Sequence, residues 1–219
     1  MLRTITGQYT RSATQKVSAV NTNLRTGSTG EYVRHESGHR HWVGRGTDYE
    51  PEAGRYHLHV ALACPWACGV LSMLFIKGLE DAISYSIVHP VWGKTKPDDV
   101  QDEHFGWVYR EPCDAPMTNP LGHGSFPCDE ALIADSATRA KTIREVYEKA
   151  GDPHGPFTTP VLWDKHTQTI VSNESMDILC MLNSAFNHLS KSPKVRWPTP
   201  FSRHTLHLIT RRASAVCAD

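Results

Sequence analysis

From Tyr56 to Leu62 the side chains alternate and then run apolar, the pattern of a strand entering a core. Pro65 opens an apolar, helix-forming run from Trp66 to Lys77. Proline suits a first helical turn, where its missing N–H would have had no intrahelical partner. Ile83 to His89 is apolar and β-branched and predicts a second strand. Residues 90–130 carry many Pro, Gly and Asp and predict a long loop, a kind of segment that is often functional. Ser136 to Ala150 has helical composition, with Ile143, Val146 and Tyr147 as its apolar stripe and Gly151-Asp152-Pro153 as its stop. Thr159–Asp164 and Thr169–Ser172 predict two short strands, and Met176–Asn187 a closing helix. Strand, helix, strand, helix, strand, strand, helix is the order of a mixed α/β sheet.

Charge and composition narrow the partners. The chain has 23 basic and 23 acidic residues, so it lacks the overall basic footprint of a nucleic-acid binder. Its apolar runs are shorter than a membrane span, so no membrane partner is expected. Six cysteines are too few for a disulfide scaffold, and Cys113 and Cys128 are too far apart for a compact zinc pattern. They read as free thiols in a reducing compartment, with a cytoplasmic location expected. Residues 1–30 are free of acids and hold Arg3, Arg11, Lys16 and Arg25; as a transit peptide they would instead direct the chain to mitochondria or plastids.

Two stretches offer chemistry. Cys64 falls at the junction of the first strand and helix. The unpaired N–H groups of a helix start favour an anion, so a thiolate there is stabilised and becomes a nucleophile. The competing reading of Cys64 is a small buried hydrophobe. His35-Glu36-Ser37-Gly38-His39 spells the His-Glu-x-x-His pattern of zinc hydrolases. That chemistry needs both imidazoles on one helix face, and Ser37-Gly38 between polar flanks is poor helix material. No metal is expected from it.

Arg55-Tyr56-His57-Leu58, Ala63-Cys64-Pro65-Trp66-Ala67, Lys77-Gly78-Leu79-Glu80, Gly106-Trp107, Pro160 to Lys165 and Ile170 to Ser175 together resemble the glutathionyl-hydroquinone reductases. These are xi-class relatives of omega-class glutathione transferases. The resemblance runs from about Gly30 to Asn187. It implies a thioredoxin-like βαβ–ββα fold on a four-stranded mixed sheet, occupying 51–187 behind an N-terminal extension of 1–50. It implies Cys64 as the catalytic residue and glutathione as co-substrate, with glutathionylated quinols as the second partner. Trp107, Phe157, Thr158, Thr159, Pro160, Glu174 and Ser175 would bind glutathione. Pro160 would follow a cis bond, Ser175 and its helix start would hold a ligand carboxylate, and Glu174 would accept from the γ-glutamyl ammonium. Ordinary helix capping is the other role for Glu174 and Ser175.

The chain departs from the family pattern at three places. Cys68 stands where the family has His, Thr159 where it has Val, and Pro156 where it has Arg. Loss of that Arg should weaken the hold on a glutathione carboxylate. Glutathione transferases continue into an all-helical second domain, which in this family places tyrosines near the sulfur. Here 188–219 reads instead as an irregular basic tail with Pro193, Pro198 and Pro200. Three readings follow: a thiol oxidoreductase working through a Cys64–glutathione disulfide, a non-catalytic glutathione-binding remnant, and, remotely, a zinc hydrolase. An uncovered apolar face would favour a homodimer.

Overall fold

The computed structural model describes residues 36–196. Residues 1–30, His35 and the part of the basic tail from 197 onward, with Pro198 and Pro200, on which some of the readings above rest, lie outside the described residues.

Strand β1 (Tyr56–Ala61) runs into helix α1 (Pro65–Ile76), which returns through a turn to β2 (Ser84–Val88). The insertion that follows contains β3 (Gly93–Lys94) and β4 (Phe105–Gly106), paired with each other. Helix α2 (Ile143–Lys149), β5 (Val161–Asp164), β6 (Thr169–Ser172) and α3 (Ser175–Ser184) complete the chain order. The main sheet has the order β2-β1-β5-β6, with β1 and β2 parallel and the other pairs antiparallel. This is the expected thioredoxin-like arrangement.

Every residue of β1 is buried, yet its two faces differ sharply. Tyr56, Leu58 and Val60 enter one core with α1 and α3, beside Leu162 and Val171. Ala61, Val161, Trp163 and Ile170 enter a second core with Ile143, Val146 and Tyr147 of α2. The period of two along a strand sends successive side chains to opposite faces, so His57 and His59 share the α2 side of the sheet. Both sheet edges are covered. Ile133 exchanges backbone hydrogen bonds with Ile87 of β2, and residues 39–41 bond to Val171 and Asn173 beside β6. Paired edges leave no open template for another strand. Residues 39–43 therefore belong to the folded unit, with Val43 fully buried, although 1–50 reads as an extension in the sequence.

Two sequence expectations need correction. The helix expected over Ser136–Ala150 begins only at Ile143. The carboxylate of Asp135 accepts the backbone N–H groups of Ala137, Thr138 and Ala140, and Arg139 takes a positive φ of 56°. Amides spent on a side chain are withdrawn from a helical ladder, so 135–140 is a turn. The expected loop 90–130 is also not wholly irregular, since β3 pairs with β4 and Met117 bridges Phe126.

Gly78, with φ of 60°, closes α1, and a Cβ there would stand 2.7 Å from the Cβ of Lys191. The close approach lets residues 190–195 lie against the helix end. Lys77, fully buried, donates from Nζ to Asn187 Oδ1 at 2.7 Å and to the Val195 carbonyl at 2.8 Å. Among the described residues, no helix is long and apolar enough to cross a membrane.

Candidate active site

The strand registers bring the expected site residues to one end of the sheet. His59 of β1 pairs with Val161, the first residue of β5, and Leu162 pairs with Ser172, the last of β6. Cys64 follows the end of β1, Thr159-Pro160 precedes β5, and Glu174-Ser175 follows β6. All three segments therefore meet where β1 ends. His89, just past β2, donates its N–H to the Val108 carbonyl, which carries Trp107 to the same end.

Cys64 is the N-cap of α1, in an extended conformation, with Pro65 behind it. Its side chain makes no capping bond, so the sulfur is not tied to its own helix. The Sγ instead lies 3.6 Å from the carbonyl oxygen of Thr159. Cys64 and Trp107 both pack against the α2-side core, and Trp107 meets Trp92 edge to face at 5.5 Å. The Thr159–Pro160 bond is cis, as the resemblance implies, and so is Gly155–Pro156.

Glu174 caps α3, accepting from the Met176 N–H at 3.3 Å. The Ser175 hydroxyl donates to its Oε1 at 3.5 Å and Ser37 Oγ donates to its Oε2 at 3.0 Å. The carboxylate expected to hold a ligand ammonium group is thus the one that caps α3. Phe157 is a core residue: its ring meets Tyr147 and His104 edge to face, with the Arg144 guanidinium 5.6 Å above it. That cation is tied to Asp102 and Glu148 rather than free to replace the family arginine absent at Pro156.

Sequence reasoning missed the residue that joins these segments. The fully buried Tyr147 hydroxyl contacts the Thr158 carbonyl at 3.2 Å and Thr158 Oγ1 at 3.1 Å, and accepts from Asn173 Nδ2 at 2.9 Å. It holds the entry to β5 against the β6–α3 turn. Nothing local marks it, because an apolar-stripe tyrosine on a helix reads as packing. The buried His57, His59 and Asp135 were missed as a group for the same reason: the pair is visible in the sequence, but Asp135 joins it only through the fold.

Cys68 lies one turn beyond Cys64, with its Sγ 3.1 Å from the Leu62 carbonyl, to which the thiol donates. That bond directs it to the β1–α1 turn. Helical side chains four apart lean the same way without meeting in disulfide geometry. Cys68→Ser is therefore expected to keep glutathione-dependent turnover within about twofold of wild type, as for a substitution outside the reacting group. A dominant Cys64–Cys68 disulfide in peptide mapping of the oxidised protein would contradict this.

The stretch Glu36–His39, the described part of the zinc-hydrolase pattern, is not helical, so the one-turn spacing of that chemistry is not formed. His39 Nε2 lies 3.0 Å from Asp152 Oδ2 instead.

Residues 63–185 match the family model described as glutathione S-transferase, N-terminal domain. The glutathionyl-hydroquinone reductase PcpF of Sphingobium chlorophenolicum is 35% identical over 175 residues, which is 80% of this chain and 47% of that protein. The crystal structure of the xi glutathione transferase of Phanerochaete chrysosporium superposes with a TM-score of 0.61 at 33% identity, over 84% of this chain and 53% of that one. The xi glutathione transferase ECM4 of Saccharomyces cerevisiae, solved in complex with glutathione, gives 0.58 at 31% identity, over 74% and 49%. The chain thus spans about half the length of these relatives. With Cys64 at the helix start, the βαβ–ββα sheet and this match over more than half its length, the chain belongs to the glutathione S-transferase family through that family's N-terminal, thioredoxin-like domain.

Proposed function

We propose that this chain is a glutathione-dependent thiol oxidoreductase that reduces glutathionyl-hydroquinones through Cys64. The observation that carries the reading is the position of the sulfur: at the N-cap of α1, without a capping bond, facing the Thr159 carbonyl. The PcpF relative bears the name of that activity, and ECM4 was solved with glutathione.

Glutathione would lie along the shared end of the sheet. The Thr159 backbone before Pro160 would pair with the peptide as an added strand does. Ser175 and the first amides of α3 would take the γ-glutamyl carboxylate, and Glu174 its ammonium group. Phe157 and Thr158 set the path of the strand entry, and Trp107 flanks the sulfur end. The Cys64 thiolate attacks the sulfur of the glutathionyl group. A Cys64–glutathione disulfide forms, the sulfur–ring bond breaks, and its electron pair leaves on the ring carbon, which takes up a proton to give the hydroquinone. A second glutathione thiolate then attacks the glutathionyl sulfur and releases glutathione disulfide and the Cys64 thiolate.

Incubation with glutathione disulfide followed by peptide mass spectrometry tests the reading. One glutathionyl group on Cys64 is expected. Saturable glutathione binding with Cys64 unmodified would instead mark a non-catalytic binding protein.

The exposed face of α1 adds a proposal about assembly. The helix is apolar on both sides, and Trp66, Phe75 and Ile76 remain 58%, 47% and 52% exposed. Helices apolar all round are normally covered, and a second copy of this chain would cover this one. The double variant Phe75→Glu, Ile76→Lys is expected to raise the dimer dissociation constant by at least about tenfold, since each buried side chain contributes roughly 1.5–3 kcal/mol. A wild-type protein that sediments as a monomer at high micromolar concentration would remove the basis for this.

A further inference from the structure

We propose that His57, His59 and Asp135 form a buried binding site for a divalent transition-metal ion of the zinc class, separate from Cys64. All three side chains are buried, and one ligand atom from each lies within 4.8 Å of the other two. Their placement follows from the fold. Two residues apart on β1, His57 and His59 face the α2 side of the sheet. The turn at 135–140, which displaced the expected helix, brings the Asp135 carboxylate to them.

Distances fit a small ion. His57 Nε2 and Asp135 Oδ1 are 3.8 Å apart. Ligands at about 2.0–2.2 Å from a tetrahedral zinc stand roughly 3.3–3.6 Å from one another, so this edge has only about 0.2–0.5 Å to close. The wider edges close with movements of under about 1 Å, on the same bond lengths. The orientation of His57 fits as well. Ser84 Oγ donates to the Tyr56 carbonyl, which leaves it to accept from His57 Nδ1 at 2.7 Å. The other ring nitrogen, Nε2, faces Ser86 Oγ at 3.0 Å and the carboxylate at 3.8 Å, where loss of its proton would turn a lone pair to an ion. A histidine whose outer nitrogen donates to a fixed oxygen while the inner one faces a carboxylate has the outer-shell arrangement of a metal ligand.

His59 provides a second observation. Its Nδ1 lies 2.6 Å from the Tyr109 hydroxyl and 3.1 Å from Ser86 Oγ, while its Nε2 is buried with no hydrogen-bond partner. An unmatched buried polar nitrogen costs about 1–3 kcal/mol, so this polar group is one partner short. Two imidazoles and one carboxylate suit zinc, cobalt, nickel or copper rather than calcium or magnesium, which prefer oxygen ligands. The Ser86 and Tyr109 hydroxyls are at hand for a further position. Asp135 and Tyr109 also line a cleft of about 1340 Å³ between the insertion and α2, none of whose lining residues belongs to the glutathione site. With every ligand buried, the ion would pin the Asp135 turn to β1 rather than activate water for an external substrate. The expectation of no metal had weighed the His35–His39 stretch and the Cys113–Cys128 spacing, not this group.

The test is titration of the full chain, stripped with chelator and dialysed, with cobalt(II) alone, followed by competition with zinc(II). One equivalent of cobalt is expected, with visible d–d bands and without the near-ultraviolet charge-transfer band of a thiolate ligand. His59→Gln and Asp135→Asn should each weaken binding by at least about 100-fold, the upper range seen even for outer-shell changes. Cys64→Ser should leave it unchanged. Absence of saturable binding, a thiolate charge-transfer band, or wild-type affinity in His59→Gln would each overturn the proposal. The wild-type spectrum decides the matter by itself should either variant fail to fold.

Discussion

Cys64→Ser is expected to reduce glutathionyl-hydroquinone turnover to the uncatalysed rate while the protein stays folded. The chemistry requires a sulfur that forms a disulfide with glutathione, and a serine hydroxyl cannot form one. The fold should survive because serine is a favoured N-cap, and Cys64 makes no capping bond that the exchange would lose. Circular dichroism and thermal melting would confirm the fold, and a stopped assay of hydroquinone release would read the rate. A Cys64→Ser protein turning over at even a tenth of the wild-type rate would rule out the mixed disulfide as an obligatory intermediate.

Arg55→Ala should be the most damaging change far from the sulfur. Asp164 is fully buried at the end of β5, and Arg55 Nε and Nη2 grip its two oxygens at 2.9 and 2.7 Å. The same guanidinium holds Glu52 and the Asp48 carbonyl. Removing it strands a buried carboxylate, a loss of about 3–5 kcal/mol, against a total stability of about 5–15 kcal/mol for a typical domain. Arg55→Lys should recover little, because one point charge cannot reproduce the two-pronged grip. Burial pushes the Asp164 carboxyl up, but hydrogen bonds from Arg55, the His166 N–H and Thr167 outweigh it and hold it below the usual carboxylate range. A carboxyl depressed in the folded state contributes stability above its unfolded pKa and loses it as pH falls through the folded value. The gap between wild type and Arg55→Ala in urea midpoints should therefore shrink in strong acid. A neutral-pH gap below about 1 kcal/mol would show that the pair is dispensable.

The sheet and the position of Cys64 at a helix start were legible because they rest on local signals. The apolar run into Ala61, the proline at a helix start and the capping residues before α3 all act within a few positions of one another. The cis bond before Pro160 followed from resemblance rather than from any local rule. The helix start at Ile143 was hidden, because composition favours helix across 136–150 while one side chain, Asp135, captures the amides. Glu174 shows the ambiguity in another form: the carboxylate that caps α3 is the one the resemblance assigns to a ligand ammonium.

What the sequence determined by itself was the order of the main-sheet strands and of the helices between them, the alternation along β1 and the placement of Cys64 at a strand-to-helix junction. Each depends on spacing along the chain: two residues for a strand face, one turn for a helix start. What only the tertiary structure decided was which distant residues meet. Tyr147 joins Thr158 to Asn173, Arg55 closes on Asp164, and Asp135 comes to His57 and His59 across 78 and 76 positions of chain. Those contacts depend on strand register and on how α2 and the insertion pack over the sheet. Burial energies summed over the whole core set that packing, and no short stretch of residues encodes it.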